Sequence, residues 1–440
     1  MGPSMALSER PFAPRRRAVL RRAAAKAKVA GLLITSPEDV GYLSGFTGDD
    51  SFLLIFDPAM GGSIPAAAQT KAGDWVVPPA GGRTGNVPAE RQARGRRKER
   101  TRSTRKATAP EALLDTTVLD ATVLDTAVLV TDGRYSEQAQ GDCPGIGIFV
   151  RKGGMIQAVA EVLKGRRRGR IGFQADHVTF RMFELLAKAI GRERLEAIAD
   201  LVAEHRMVKD EGEIRLIRKA VRIAQEAFRS LLAGGAKALI GRTEREVAAE
   251  LDYRMRLAGA SGPGFATSVC AGPNSSRPHH RPGSARIVRD QPVLIDWGAE
   301  VEGYRSDLTR VVFPGRILPK LAELYEVVLA AQAAGVKALR AGAALRSADA
   351  AARSVIERAG YGQQFVHGLG HGVGRAIHEL PFMSRTAKGR LKAGMVVTVE
   401  PGVYLPGVGG IRIEDDVEVG PRGGRKLSSL PNALADMVLR

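Results

Sequence analysis

The chain has 440 residues, 44% of them hydrophobic and 26% charged. These values exclude a disordered, collagen-like or fibrous protein and leave room for two or three domains with buried cores. A balance of 66 Lys and Arg against 47 Asp and Glu gives a net charge of +19, which on its own invites a nucleic-acid hypothesis.

The two cysteines, Cys143 and Cys270, exclude a disulfide scaffold and any cysteine-built zinc finger. No apolar run approaches the ~20 residues that span a bilayer, so no membrane partner and a cytoplasmic location are expected. The basic, Ala-rich stretch from Arg15 to Lys28 reads as an exposed first helix rather than a transit peptide.

In chain order, Arg17–Ala30 is expected to be helical and Gly31–Thr35 a short buried strand. Glu38–Leu43 fits a helix, Gly45–Gly48 a turn and Ser51–Phe56 a strand. From about 57 to 126 the chain is rich in Pro, Gly and Ala and lacks periodicity until a local repeat of Asp, Thr, Val and Leu. It is read as a mostly disordered basic insertion. Its densest part, Arg91–Lys106, holds nine basic residues and one acid but no aromatic ring, so it offers no platform for stacking bases. The α/β pattern resumes with a strand at Ala127–Thr131, a turn at Asp132-Gly133, a helix at Ile156–Lys164 and a strand at Arg170–Phe173. Alternation of this kind implies a mixed or parallel sheet covered by helices.

A boundary near His205–Asp210 divides the chain into two domains, 1–205 and 206–440. The second opens with a long helix at Glu213–Leu232, whose apolar residues Ile214, Ile217, Val221, Ala224 and Phe228 recur at helical spacing. Thr243-Glu-Arg-Glu246 is a capping box that starts a helix running to about Leu257. Further helices are expected at Glu323–Leu339 and Ala348–Arg358.

The chemistry concentrates in this second half. An apolar strand ends in Asp296, and a hairpin connection through Ala299–Gly303 leads to Tyr304–Phe313, which carries Asp307. Adjacent strands would set the two carboxylates side by side, and a divalent cation is the natural answer to their repulsion. A second strand ends in Glu400. Gly410–Val419 alternates with period two, with Arg412 and Glu414 on one face. Five of the seven histidines fall between His279 and His378, and His367, His371 and His378 share a glycine-rich segment. Four carboxylates and one imidazole make a hard, oxygen-rich donor set, which favours manganese and admits zinc, cobalt or iron.

These residues resemble the pita-bread metallopeptidases, in the branch of Xaa-Pro aminopeptidases and Xaa-Pro dipeptidases (prolidases). In the first half the resemblance rests on Ser44-Gly-Phe-Thr-Gly48 and Val128–Tyr135. In the second it rests on six motifs, around His279, Asp296, Asp307, His367–Gly372, Glu400 and Glu414. It implies an α/β fold with a creatinase-type N-terminal domain, 1–205, followed by a pita-bread domain, 206–440, built around a curved antiparallel sheet.

By that resemblance Asp296 chelates one of two divalent ions, Asp307 and Glu414 bridge both, and His371 and Glu400 complete the other. His279, His367 and His378 contact substrate, Arg412 orients the neighbouring carboxylates, and Glu400 also serves as the proton acceptor. The expected activity is removal of an N-terminal residue that precedes proline, with dipeptidase action on Xaa-Pro as the alternative. Proline-containing peptides are the expected substrates and a homodimer the expected assembly. The creatinase branch lacks the full ligand set, and methionine aminopeptidases lack an N-terminal domain of this kind. A non-catalytic relative that grips nucleic acid through the insertion is the remote alternative. It is disfavoured because the positive charge is diffuse: residues 58–128 hold 11 basic and 7 acidic residues, whereas 206–440 hold 35 and 24. His280 and Trp297 receive no role.

Overall fold

The computed structural model describes residues 12–57, 73–76, 127–164 and 169–440. The chain forms two compact units, Pro11–Ala197 and Ile198–Arg440.

The first unit runs through helix α1 (Phe12–Ala27), strand β1 (Gly31–Ile34), helix α2 (Pro37–Ser44) and strands β2 (Phe52–Phe56), β3 (Gly73–Val76) and β4 (Ala127–Asp132). Helix α3 (Ser136–Asp142), strand β5 (Gly147–Arg151), helix α4 (Met155–Leu163), strand β6 (Ile171–Gln174), helix α5 (Phe180–Ile190) and strand β7 (Leu195–Ile198) follow. The strands make one sheet in the order β3-β5-β4-β2-β1-β6-β7. It is mixed: β1 is antiparallel to β2 and parallel to β6, and β4 is parallel to β5. Leu32, Leu33 and Ile34 of β1, like Val128, Leu129 and Val130 of β4, are buried on both faces. Such strands read as unbroken apolar runs rather than as alternation.

Strand β3 lies inside the stretch expected to be a structureless insertion and corrects that reading at four residues. It pairs antiparallel with β5, Gly73 opposite Arg151 and Val76 opposite Ile148. A short strand added at a sheet edge is held by main-chain hydrogen bonds and needs no side-chain periodicity. The remainder of that stretch, 58–72 and 77–126, lies outside the described residues.

The second unit begins with α6 (Ala203–Arg206), α7 (Glu211–Leu231) and α8 (Glu244–Leu257). Both long helices start at capping boxes, Asp210 with Glu213 and Thr243 with Glu246, in which each side chain satisfies the other's orphan N–H. Strands β8 (Gly262–Pro263), β9 (Ser268–Ala271), β10 (Val293–Trp297), β11 (Ala299–Val301), β12 (Tyr304–Arg305) and β13 (Leu308–Pro314) come next. Helices α9 (Pro319–Ala338) and α10 (Leu345–Arg358) lead to β14 (Gly370–Gly372), β15 (Glu379–Met383), β16 (Val396–Val399), β17 (Gly402–Leu405), β18 (Gly409–Arg412), β19 (Asp415–Val419), β20 (Gly424–Lys426) and β21 (Val438–Leu439).

Two sheets frame the site. One has the order β21-β13-β10-β9 and the other β15-β14-β16-β19-β20; β17 and β18 form a separate hairpin, as do β8, β11 and β12 a small sheet. A continuous core joins Phe228 of α7 and Leu251 of α8 to Leu294 and Val311, and onward to Val328 of α9, Ala352 of α10, Val397 and Val417.

Two segments read as single strands are each divided. Tyr304–Phe313 breaks at Ser306-Asp307, where pairing passes from β11 to β10. Gly410–Val419 breaks at Ile413-Glu414, where pairing passes from β17 to β16. At that second break the Glu414 N–H donates to the Thr309 carbonyl (3.2 Å). The polar/apolar alternation carries no mark of these switches, because Ile411–Asp416 are all buried.

Candidate metal centre

The ends and breaks of these strands carry the acids. Asp296 lies on β10, opposite Thr309 on one side and Ser268 on the other. Asp307 immediately precedes β13, and its N–H donates to Asp416 Oδ2 (2.9 Å). Glu400 follows β16, its N–H bonded to the Leu369 carbonyl (2.9 Å). His371 is the middle residue of β14, between two glycines that permit close strand approach: a Cβ on Gly370 would collide with the Thr398 carbonyl, and one on Gly372 with that of Leu380.

The result is a tight cluster. Ligand atoms of Asp307, His371 and Glu414 lie within 4.8 Å of one another. His371 Nε2 stands 3.3 Å from Glu400 Oε1 and 3.7 Å from Asp307 Oδ2. Asp296 stands apart from that trio, held through Oδ2 by Arg412 Nη2 (2.6 Å). Its buried Oδ1 has no hydrogen-bond partner among the described residues.

The electrostatics of the cluster are those of a cation site. Burial, joined by Glu414 and Asp296, pushes Asp307 well above the usual carboxylate range. Burial, joined by Glu400 and Asp296, does the same to Glu414. Asp296 is raised chiefly by burial, which outweighs Arg412. Burial also pushes Asp416 up to about 8. Glu400 goes the other way: burial would raise it, but the bond and charge of His371 hold it down to about 2. Burial would lower His371, and the same pairing with Glu400 outweighs it and raises the imidazole.

The donor set and its second layer suit a divalent metal. His371 Nδ1 faces the Gly372 carbonyl at 3.1 Å; a carbonyl only accepts, so Nδ1 carries the proton and Nε2 is the nitrogen aimed at the carboxylates. Thr398 Oγ1 accepts from the His371 N–H (3.0 Å) and donates to Glu400 Oε1 (3.1 Å). Thr309 Oγ1 donates to Glu414 Oε2 (2.6 Å) and accepts from Arg412 Nε (3.0 Å). A metal would neutralise the buried acids and use the unpaired oxygen of Asp296.

Beside the acids lies a relay of polar groups. His367 Nδ1 donates to the Gly368 carbonyl (2.8 Å), which leaves Nε2 to accept from the Tyr404 hydroxyl (2.9 Å). The Tyr404 oxygen accepts in turn from Arg412 Nη1 (3.0 Å). Burial keeps His367 below its usual range. The His378 ring meets that of His371 edge-on, with centroids 4.4 Å apart, and burial together with His371 holds His378 low. His279 is exposed and lies near enough to His378 to act on it electrostatically.

Thr309, Thr398, Tyr404 and Asp416 were not singled out from the sequence. Thr309 and Thr398 each stand two residues from an expected ligand along a strand, and the period-two rule that groups Arg412 with Glu414 extends to them. Trp297 is structural: it is buried, stacks on Phe228 with centroids 4.3 Å apart, and donates from Nε1 to the Ala224 carbonyl (2.9 Å), so it fixes α7 behind Asp296.

Comparison with known proteins places these features in a family context. The model of metallopeptidase family M24 matches residues 215–421, and that of the creatinase/prolidase N-terminal domain matches 16–64 and 117–208. The gap between the last two segments falls in the stretch read as an insertion. An uncharacterised peptidase of Bacillus subtilis is 37% identical over 305 residues, 69% of this chain and 86% of that protein. Among solved structures, an Xaa-Pro dipeptidase from Bacillus anthracis aligns with a TM-score of 0.77 at 31% identity, covering 97% of this chain and all of that one. An X-Pro aminopeptidase from Thermotoga maritima aligns with a TM-score of 0.72 at 30% identity, covering 95% and 99%. Among the described residues, no helix is long and apolar enough to cross a membrane.

Proposed function

Since this chain belongs to metallopeptidase family M24, we propose that it is an exopeptidase that cleaves Xaa-Pro bonds at peptide N-termini. The observation that carries this reading is the buried cluster of Asp307, His371 and Glu414 with Glu400 and Asp296 at its edge. Asp296, Asp307, His371, Glu400 and Glu414 would hold two divalent ions, manganese by preference of the oxygen-rich donor set. Bound there, the ions would supply Lewis acidity and a water acidic enough to attack at neutral pH.

The chain's own groups account for the rest. Glu400, kept ionised by His371, is the acceptor for the proton released by the attacking water and the carrier that returns it to the proline nitrogen. That return matters because the imide nitrogen bears no proton of its own. Arg412 holds the Asp296 carboxylate and the Tyr404 hydroxyl in place, leaving the other oxygen of the acid for a cation. His279 and His378 would offer ring N–H groups to the carbonyl oxygen and the substrate ends, while His367, with both ring nitrogens engaged, would act through the Tyr404 hydroxyl that it accepts from. The free amine of the substrate would be drawn to the acidic edge of the cluster, which limits cleavage to one residue from the terminus.

Dipeptidase action is the second reading, favoured by the likeness to the Bacillus anthracis Xaa-Pro dipeptidase. Hydrolysis of Gly-Pro against Gly-Pro-Xaa tripeptides, with manganese added, separates the two. Asp307→Ala and His371→Ala are each expected to lower kcat by about 10³-fold or more. Unchanged turnover in either variant would overturn the assignment.

A further inference from the structure

The segment from Ala271 to Gly283 is pinned to the first residue of α8. Glu244 is fully buried and its two carboxylate oxygens accept four donors. Oε1 takes the Ala271 N–H (2.8 Å) and Asn274 Nδ2 (2.9 Å). Oε2 takes His280 Nε2 (2.8 Å) and the Gly283 N–H (2.9 Å). A carboxylate has about four acceptor sites, so this one is saturated. Burial alone would raise its pKa, but these four bonds, led by that of His280, hold it low.

The same carboxylate therefore grips both ends of a loop and its middle. The Ser268 hydroxyl adds a bond to the His280 carbonyl (2.8 Å), and Ser268 lies opposite Asp296 in the sheet. Because the His280 ring turns inward to Glu244, its neighbours His279 and Arg281 face outward and are exposed. Two consecutive histidines thus divide the work: one is a half-buried fastener and the other is left exposed, within electrostatic reach of His378.

We propose that Glu244 and His280 are positioning residues that set His279 at the site, an inference that rests on the peptidase reading of His279. His280→Ala removes the fastener; His280→Gln restores an N–H donor at nearly the same reach. Glu244→Ala leaves four donors unpaired in the interior and threatens the fold, so the His280 variants carry the test.

In the manganese-loaded full chain, His279→Ala is expected to lower kcat/KM on Gly-Pro peptides by about 100-fold. His280→Ala is expected to lower it by about tenfold, with His280→Gln recovering most of the loss. The double variant His279→Ala/His280→Ala should match His279→Ala alone, because His280 acts only through His279. A multiplicative loss in the double variant would overturn the proposal and leave His280 a general stabiliser. An independent readout is the imidazole signal of His279 in histidine-labelled protein, expected to shift in His280→Ala and return in His280→Gln. A signal that stays put overturns the proposal. Wild-type chain inactive on every Xaa-Pro peptide would overturn the peptidase reading, and the imidazole signal then decides the fastener by itself.

Discussion

Replacing Glu379 by Gln tests whether a buried ion triad holds the segment that carries His378. Glu379 is buried on β15, where Oε1 lies 2.8 Å from Lys209 Nζ and Oε2 meets the guanidinium of Arg206. Both cations are themselves buried. Burial would raise the Glu379 pKa, but Lys209 and Arg206 outweigh it and hold the carboxyl at about 2, against an ordinary value of 4.5. That displacement corresponds to about 3 kcal/mol of stability. Because the folded value is depressed, the contribution is complete above pH 4.5 and is lost as the pH falls toward 2. Removing the charge also takes the carboxylate away from two buried cations, a loss of the kind that costs about 3–5 kcal/mol at neutral pH. Urea unfolding, followed by the fluorescence of buried Trp297 in a Trp75→Phe background, measures both effects. Glu379→Gln should lose about 3 kcal/mol or more at pH 7, and its deficit relative to wild type should shrink by about 1–2 kcal/mol by pH 3.5. A deficit below about 1 kcal/mol, or one that stays constant as the pH falls, would refute the reasoning.

Other outcomes follow from the same geometry. Asp307→Asn should stabilise the chelator-treated chain by about 1 kcal/mol, because it removes one of several crowded buried acids, and should destabilise the manganese-loaded chain; melting curves with and without metal read the change of sign. Manganese at 100 times its Kd should raise the unfolding free energy of the wild type by about 2.7 kcal/mol for each site filled, and an absence of any metal-dependent shift in Tm would count against the site. Thr309→Val, which strips Glu414 and Arg412 of a shared hydroxyl, should lower kcat and, by leaving the buried Arg412 Nε–H without that acceptor, cost about 1–3 kcal/mol in melting curves. Thr243→Ala should cost about 1 kcal/mol by loss of the α8 cap and leave kcat/KM unchanged.

Much of this molecule was legible before its structure was in view. Helix α8 spans Glu244–Leu257 as its capping box implied, since the Thr243–Glu246 exchange is encoded within four residues. The fold class followed from strands whose burial on both faces leaves an apolar signature. What stayed hidden depended on distant chain. The division of Gly410–Val419 arises because Glu414 reaches Thr309, 105 residues away, and nothing local records that partner. Strand β3 escaped notice because an edge strand needs only a neighbour's backbone. His280 received no role because Glu244, which holds it, lies 36 positions upstream. Charge was the least informative cue, because the acids that matter are buried and do not dominate a net count.

The donor groups of the cluster come from two different sheets: Asp296 and the approach to β13 from one, His371 and the end of β16 from the other. Metal ions there would act as stitches across a seam, and their affinity would gauge how closely the two edges are drawn together. Arg310 works on the same seam from behind, donating to the Thr309 and Glu414 carbonyls (2.9 and 2.6 Å) and to Asp415 Oδ1 (2.8 Å). A change that lets the sheets slide, even one remote from every donor atom, should therefore surface as weakened metal retention well before the chain loses its fold.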